Sequence, residues 1–233
     1  MNSMIHTENL TKHFQDFIAV KSANLHVNAG EVLALLGPNG AGKTTTIRML
    51  TSILRPTEGQ AWVAGYDVTT DGAKVRQAVG MLTEHHGLYK RMPPKEYLDF
   101  FGQLYGMETS QRKKRIDKLL HQFGLEHESG KRIGEFSKGM RQKLSLAQTL
   151  LHSPKVLLLD EPTSAMDPES ARLVRDAIKS LRTKERAIIV GIVRPDQDPE
   201  LVNEYLDELE LLADTAGAEV VERVVQNRKR MDP

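Results

Sequence analysis

The chain has no cysteine among its 233 residues, and this absence excludes both a disulfide framework and a thiolate metal site. Such a composition fits a reducing compartment. No apolar run approaches the roughly 20 residues that a transmembrane helix requires. The start, "MNSMIHTENLTKHF", also lacks the apolar core of a signal peptide. We therefore expect a soluble protein in the cytoplasm.

A charge excess of either sign is also missing. The chain carries 32 Lys and Arg against 31 Asp and Glu, a formal net charge of +1. This balance gives no overall attraction to nucleic acid or to an acidic membrane surface. The basic run "QRKKR" at 111–115 is predicted to be a solvated helix face, so no nucleic-acid partner is expected. The length allows one large domain or a domain with an inserted lobe.

The clearest motif follows "EVLALL", an apolar run at 31–36 that predicts a buried strand. The next residues, "GPNGAGKTTTIRMLTSIL", match the phosphate-binding pattern G-x-x-x-x-G-K-[ST]. The matching positions are Gly37, Gly40, Gly42, Lys43 and Thr44. A helix is predicted after the loop, because Ile47, Leu50 and Leu54 are spaced for one helical face.

These residue types suit phosphate chemistry. Glycines let the N–H groups of a loop, here with Asn39, Ala41 and Thr45, converge on an anion at a helix N-terminus. Lys43 is expected to reach the β- and γ-phosphates of a nucleotide, and the Thr44 hydroxyl is placed to ligate Mg²⁺. The alternative is a glycine-rich turn that merely caps a helix.

A second buried strand, Val156 to Leu159 in "PKVLLLDEPTSAMD", ends in two acids. Asp160 is expected to hold Mg²⁺ through water, and Glu161 to polarise the water that attacks the γ-phosphate. The alternative is a pair of acids that caps a strand. A phosphate loop earlier in the chain favours the catalytic interpretation.

Between these motifs lies "GEFSKGMRQKLSLAQTLL", a polar loop that opens an amphipathic helix. Ser137 is predicted as its N-cap. Leu144, Ala147 and Leu151 are predicted to share one face of the helix.

The order of the phosphate loop, "FSKGM", "LLLDEP" and "SAMD" over about residues 4–184 resembles the ATP-binding subunit of ABC transporters. The resemblance is to the bacterial branch of sodium and drug exporters. It implies an α/β P-loop NTPase with a parallel sheet core, an N-terminal antiparallel β subdomain and a helical lobe inserted at about 85–150. It also implies an ATP-dependent homodimer that binds ATP and Mg²⁺ and docks on separate transmembrane permease subunits at the inner face of the membrane.

The resemblance assigns further roles. Two subunits sandwich two ATP molecules, and it implies that Ser137 and Gly139 contact the nucleotide of the opposite subunit. Asp167 is implied in the loop that couples the two sites. Phe14, in "LTKHF", is implied to stack on adenine, with a core aromatic as the alternative.

The lobe carries a helical pattern of its own. "PKEYLDFFGQLYGM" and "RKKRIDKLLHQFGL" predict two helices. In the second, four apolar residues are spaced for one face, namely Ile116, Leu119, Leu120 and Phe123.

Two positions depart from the family pattern. Glu84 stands where a glutamine usually links the core to the lobe. An ionised Glu accepts hydrogen bonds only, so two effects are open: Glu84 ligates Mg²⁺ or its water, or it weakens ATP binding. Such a residue recurs in the exporter branch that the chain resembles, so we expect it to be a tolerated variant. The neighbours His85 and His86 are predicted to lie on a surface or interface. The larger departure is that no histidine follows His152, although the family has one about thirty residues after the catalytic glutamate.

The missing histidine affects the predicted activity. In the family it contacts the γ-phosphate and holds the attacking water, so we expect ATP binding with slow hydrolysis. The alternative is a nucleotide-gated module that dimerises on ATP with little or no turnover. Whether the chain is a competent ATPase is left open by its sequence.

The tail at 187–226 predicts a β-α-β unit: the strand "AIIVGIV", a helix capped by Asp198, Gly217 and the strand "AEVVERVVQ". It resembles the opening of the N-terminal domain of HflX-type, ribosome-associated GTPases. We therefore expect a composite chain, with an ATP-binding domain at 1–186 and a tail at 187–233 that completes or replaces the end of the sheet. The alternatives are a divergent ABC tail and, as a weaker hypothesis, ribosome association or GTP use.

Overall fold

The computed structural model describes residues 3–36, 40–82, 87–160, 188–193 and 224–225. A five-stranded antiparallel sheet forms first. Its strands are β1 (Ser3–Phe14), β2 (Phe17–Ala23), β3 (His26–Asn28), β5 (Glu58–Val63) and β6 (Tyr66–Asp67). The long β1 strand pairs with β2, β3 and β5, so it organises the sheet. This is the predicted N-terminal antiparallel β subdomain.

The second sheet contains β4 (Val32–Leu36), β7 (Val79–Leu82), β8 (Val156–Asp160), β9 (Ile188–Val193) and β10 (Val224–Val225). The order is β10-β4-β9-β8-β7, and every pairing is parallel. Continuous apolar runs such as "VLALL" and "VLLLD" are typical of strands that are buried on both faces. The predicted α/β fold with a parallel sheet core is confirmed.

The tail contributes two strands to this sheet. β9 lies between β4 and β8, and β10 pairs with the other edge of β4. The strand predicted from "AIIVGIV" is present as β9, and it lies beside the strand that ends in Asp160. The helix predicted between β9 and β10 lies outside the described residues.

Five helices are described: α1 (Lys43–Leu50), α2 (Gly72–Ala78), α3 (Pro94–Leu104), α4 (Thr109–Gln122) and α5 (Lys138–Thr149). Helices α3 to α5 lie between β7 and β8 in the chain and form the predicted helical insertion. The predicted apolar face is confirmed, because Ile116, Leu119 and Leu120 of α4 and its C-cap residue Phe123 are at most 4% exposed. None of the helices in the described part of the chain is long and apolar enough to cross a bilayer.

Two helix ends differ from the sequence-based prediction. Helix α1 ends at Leu50, so Leu54 lies outside it and the buried Met49 takes a place on its inner face. The cause is a Schellman end: Ser52 is left-handed at φ 57°, and the Ile53 N–H donates to the Arg48 carbonyl at 3.0 Å. Helix α5 likewise ends at Thr149, before the buried Leu151.

Two apolar clusters hold these layers together. One lies among the helices and the β7–β8 side of the parallel sheet, with Leu98, Leu120 and Leu144 fully buried. The other joins the antiparallel sheet to α1, with Ile5, Val63 and Ile47 at its centre. The loop between β4 and α1 therefore connects a strand and a helix that both pack into this second cluster.

Candidate functional site

The phosphate loop turns into α1 at Gly42, which has a left-handed backbone with φ 86°. A Cβ atom at this position would lie 2.3 Å from the Ala19 carbonyl oxygen. Because real Cβ contacts are never this short, only glycine fits here without a shift of the backbone. Gly40 also has a positive φ, 80°, but a Cβ there meets open space.

The Ala19 carbonyl reaches Gly42 because of an irregularity in the antiparallel sheet. Lys12 on β1 pairs with Val20 on β2, whereas the next residue, His13, pairs with Ile18. Ala19 is thus the extra residue of a β-bulge, a feature that commonly re-aims a strand next to a functional site. The bulge sets the antiparallel sheet directly against the turn of the phosphate loop.

The first turn of α1 presents backbone N–H groups and no acid. The helix ladder begins with Thr46, whose N–H donates to the Gly42 carbonyl at 2.8 Å and whose hydroxyl donates to the same oxygen at 3.0 Å. The N–H groups of Lys43, Thr44 and Thr45 precede this ladder, at the positive end of the helix dipole. Such an end suits an anion, and a phosphate fits it.

Asp160 lies at the same edge of the parallel sheet. Leu35 on β4 pairs with Ile192 on β9, and Ile192 pairs with Asp160 on β8. Asp160 is therefore level with the strand end that enters the phosphate loop, at a backbone distance of about 10 Å, or two strand spacings. In open α/β sheets this carboxyl edge is where ligands bind.

Phe14 is not a core residue, so the alternative that it is a core aromatic is wrong. Its side chain is 46% exposed at the end of β1, directly opposite Phe17 on β2. The Lys12 ammonium lies 5.4 Å from the centre of its ring. Phe17 is only two residues from Ala19, so the ring lies on the hairpin that contacts the phosphate loop. This position suits a base whose phosphates are held at Gly42.

Ser137 caps α5, as predicted. Its hydroxyl oxygen accepts a hydrogen bond from the Met140 N–H at 3.2 Å, and the side chain is exposed. Gly139, two residues later, has no unusual φ, and a Cβ there would meet only the Ser137 hydroxyl at 4.0 Å. Within the described residues, therefore, neither backbone conformation nor space requires glycine at 139.

The first turns of α5 carry cations at the positive end of a helix. Lys138, Arg141 and Lys143 all lie within its first six residues, and no acid lies in its first turn. Cations are unfavourable at a helix N-terminus, whereas an anion there is stabilised. Arg141 offsets part of this cost by donating to the Phe136 carbonyl. The arrangement favours an anionic ligand.

The other end of α5 is anchored to the parallel sheet. His152 Nε2 lies 3.1 Å from the Val79 carbonyl on β7, and the imidazole stacks on Tyr105 with ring centres 3.8 Å apart. Burial is the main cause that lowers the pKa of His152 to about 4, with a smaller contribution from the nearby Arg115 and against the hydrogen bond to the Val79 carbonyl, which raises it. The ring is therefore neutral near pH 7. Thr149 adds a bond from its hydroxyl to the Met81 carbonyl at 3.2 Å.

Several predicted site residues lie outside the described residues: Gly37, Asn39, Glu84, Glu161 and Asp167. Of the predicted Mg²⁺ ligands, Thr44 is exposed at the start of α1 and Asp160 ends β8. Oxygen donors of these two kinds fit a hard cation. Across the described ranges no group of three His, Asp or Glu side chains is arranged to hold a metal ion, so the fit relies on a nucleotide to supply further oxygens.

Two residues of the site were missed by sequence reasoning. Ala19 acts through its backbone carbonyl, and no side-chain pattern signals a carbonyl contact. Lys12 lies two residues before Phe14, and alternation along a strand places both on one face. That spacing was a signal that could have identified it.

Comparison with known proteins agrees with this geometry. Residues 20–164, more than half of the chain, match the family model described as ABC transporter. The ABC transporter ATP-binding protein NatA of Bacillus subtilis is 41% identical over 191 residues, covering 80% of this chain and 78% of NatA. The bacitracin transport ATP-binding protein BcrA of Bacillus licheniformis is 37% identical, covering 93% of this chain and 67% of BcrA.

Among solved structures, cbiO1 from Clostridium perfringens, part of the ABC transporter complex cbiONQ, has a TM-score of 0.73. It is 26% identical, and the match covers 83% of this chain and 79% of cbiO1. The resemblance of the tail to HflX-type GTPases has no support from these comparisons. The chain belongs to the ABC transporter family, as an ATP-binding domain.

Proposed function

We propose that the chain is the ATP-binding subunit of an ABC exporter and works as a homodimer on separate permease subunits at the cytoplasmic face of the membrane. The observation that carries this proposal is the register of three neighbouring parallel strands, in which Leu35 pairs with Ile192 and Ile192 pairs with Asp160. It brings the phosphate loop and an acidic strand end to one edge of the sheet. The names of NatA and BcrA as transport ATP-binding proteins support the same function.

The chain's own residues suggest how ATP is held. Backbone N–H groups at the start of α1 bind the phosphates, and Lys43 neutralises charge on the β- and γ-phosphates. Thr44 and Asp160 would hold Mg²⁺, directly and through water, with Glu84 as a further candidate ligand. When bound, Mg²⁺ neutralises charge on the transferred phosphoryl group. Glu161 orients the water for attack.

A second subunit completes the site. Ser137 and Gly139 contact the nucleotide of the opposite subunit, and Asp167 lies in the loop that couples the two sites. The open space at Gly139 and the cations at the start of α5 support this proposal. In each case the single chain leaves a feature that an external phosphate accounts for.

The permease is proposed to dock on the helical lobe, within residues 85–150. Three large apolar side chains are exposed there: Tyr89 at 50%, Phe100 at 40% and Leu104 at 66%. Tyr89 contacts Phe100 with ring centres 5.9 Å apart, so these two form a continuous aromatic surface. Exposed apolar surface of this kind is typical of a protein interface.

The hydrolysis step is proposed to be slow. The alternative remains a nucleotide-gated module that dimerises on ATP with little turnover. A single feature favours it, namely the absence of any histidine after His152. Slow release of phosphate from a stable ATP-bound dimer would support the alternative.

The division at residue 186 is likewise a proposal. Residues 1–186 are 186 of 233 residues, or about 80% of the chain. The similarity to BcrA covers 93%, so it runs into the tail. This favours a tail that completes the ATP-binding sheet. An HflX-type origin is a separate hypothesis, and failure of the purified chain to co-sediment with ribosomes at physiological salt would remove its functional consequence.

ATP binding and steady-state hydrolysis test the main proposal. Wild-type chain is compared with Lys43→Ala, which removes phosphate contact, and with Glu161→Gln, which removes the water-orienting carboxylate. We expect Lys43-dependent ATP binding and a slow rate that Glu161→Gln abolishes. ATP binding that is unaffected by Lys43→Ala would contradict the proposal. Rapid turnover would show that another group does the work of the missing histidine.

A further inference from the structure

The ring of Phe14 has a cation fixed against it. Lys12 precedes Phe14 by two residues on β1, and its ammonium lies 5.4 Å from the ring centre. The same ammonium donates to the Arg55 carbonyl at 2.7 Å. A lysine tip that is free in water samples many rotamers, but this one is held at both the ring and a backbone oxygen.

Arg55 belongs to the segment that follows α1, and two further hydrogen bonds tie that segment to β1. The Thr57 N–H donates to the Thr11 carbonyl at 2.9 Å, and the His13 N–H donates to the Thr57 hydroxyl at 3.1 Å. The end of β1 is thereby fixed to the chain just beyond the phosphate-binding helix. At the other side of the hairpin, Ala19 contacts Gly42.

We propose that Lys12 is a positioning residue for the purine base. This inference rests on the proposed function, in which Phe14 stacks on adenine. Lys12 holds the Phe14 ring at a fixed distance from the phosphate loop. The charge of Lys12 also attracts the π electrons of the Phe14 ring. The rest of the ring becomes poorer in electrons, so it stacks more favourably on the electron-rich face of adenine.

Chemistry favours a base over other ligands at this place. A cation beside a phenyl ring is stabilised by the ring quadrupole, and stacking of flat aromatic systems uses the remaining ring surface. Phe14 keeps 46% of its side chain exposed. A phosphate would pair with the ammonium itself, whereas a base stacks on the ring and needs the ammonium only as support.

The test separates base binding from phosphate binding. Calorimetry measures the affinity of the full chain for ATP and for inorganic tripolyphosphate, which has the phosphates and no base. The Lys12→Met variant keeps a long apolar chain without the charge. We expect ATP affinity to fall about 2- to 5-fold, the range of an exposed cation–π contact, with tripolyphosphate affinity unchanged. Lys12→Arg keeps the charge and is expected to restore most of the affinity for ATP.

Two controls sharpen the result. Lys21→Met removes an exposed lysine from the neighbouring strand β2 and is expected to change neither affinity. In a Phe14→Leu background, Lys12→Met is expected to have no further effect on ATP, because the ring through which it acts is gone. Thermal melts of every variant confirm that it is folded.

The outcomes are distinct. An equal loss for ATP and tripolyphosphate, or a loss that persists in the Phe14→Leu background, overturns the role of Lys12. Unchanged ATP affinity in Lys12→Met, beside a clear loss in Phe14→Ala, overturns it too and leaves the proposed function standing. If Lys43→Ala has no effect on ATP affinity, the proposed function itself fails.

Discussion

The N-termini of helices α1 and α4 meet the same physical demand in opposite ways. Each helix begins with backbone N–H groups that its own ladder does not use and with a positive dipole end. In α4 the carboxylate of Glu108 both accepts hydrogen bonds and places a negative charge at the positive end of the dipole. It accepts from the Ser110 N–H at 2.7 Å and from the Gln111 N–H at 3.1 Å. In α1 the corresponding position is Gly42, which has no side chain.

The two helix ends differ in what they serve: the cap of α4 stabilises the fold, whereas the start of α1 suits a ligand. The Ser110 hydroxyl, which donates to the same carboxylate at 2.6 Å, and these two N–H groups hold the pKa of Glu108 below its usual value, so the folded state favours its charged form. Helix α4 thus carries its own anion. Within the described residues, α1 has no acid in its first turn and no side-chain cap, so its start suits an anionic ligand. Helix α5 lies between these extremes, since Ser137 caps it with a neutral hydroxyl.

The largest expected effect comes from Gly42→Ala. The added Cβ would lie 2.3 Å from the Ala19 carbonyl oxygen, in a backbone conformation that costs an L-residue roughly 1–2 kcal/mol. The start of α1 must shift, so we expect ATP affinity to fall by about 100-fold or more, a loss of roughly 3 kcal/mol. Calorimetric titration with ATP measures this change.

Gly40→Ala is the matched control. It has a similar positive φ, 80°, and open space around the new Cβ, so only the conformational cost of roughly 1–2 kcal/mol remains. ATP affinity that falls equally in both variants would mean that the contact with Ala19 is not what fixes the loop.

Much of this comparison could be predicted from the sequence. The glycine pattern placed the turn at Gly42, and the polar residue before an amphipathic pattern identified Ser137 as a cap. Apolar runs also predicted β4, β8 and β9 of the parallel sheet, whereas β7 was not predicted.

The features that the sequence did not predict depend on backbone conformation and on contacts between residues far apart in the chain. The bulge at Ala19 depends on strand register, which a sequence does not display. The end of α1 before Leu54 depends on a left-handed Ser52, a residue type that seldom signals this conformation. The exposure of Phe14 depends on where its hairpin lies relative to the core.

The second expected effect concerns the far end of α5. His152 has a pKa lowered to about 4 in the folded state, against about 6.5 in an unfolded chain. Because the folded pKa is the lower one, the folded state binds fewer protons, and stability falls as the pH drops from 6.5 toward 4. Between pH 7 and pH 5 we expect a loss of about 2 kcal/mol from this group.

Thermal or urea unfolding of wild type and His152→Phe at the two pH values measures this loss. Phe keeps an aromatic ring beside Tyr105 but cannot titrate or bond to the Val79 carbonyl. The variant is expected to be less stable at pH 7 and to lose less stability on acidification. An equal loss in both proteins would assign the pH dependence to other groups.

Substitutions of Ser137 at the start of α5 distinguish its role as a helix cap from its proposed role in ATP hydrolysis. Ser137→Ala removes the acceptor for the Met140 N–H and is expected to cost about 1 kcal/mol of stability. Ser137→Gly costs only a few tenths of a kcal/mol at an N-cap, yet it removes the hydroxyl as completely. We expect ATP hydrolysis to fall in both variants. Hydrolysis that recovers in Ser137→Gly would show that the hydroxyl acts only as a cap.

The smallest expected effect is that of Glu108→Ala at the start of α4, and it completes the comparison with α1. The substitution removes the acceptor for two N–H groups, so the melting temperature should fall slightly while ATP affinity stays unchanged. The lowered pKa of Glu108 means that its contribution is present above the unfolded value of about 4.5 and is lost as the pH falls through the folded value. The difference in melting temperature between wild type and Glu108→Ala should therefore be larger at pH 7 than at pH 4. Glu58→Ala, an exposed acid on β5, serves as the control for general charge effects. A loss of ATP affinity in Glu108→Ala would show that the two helix ends are coupled, because a cap that acts locally on α4 cannot change an anion site on α1.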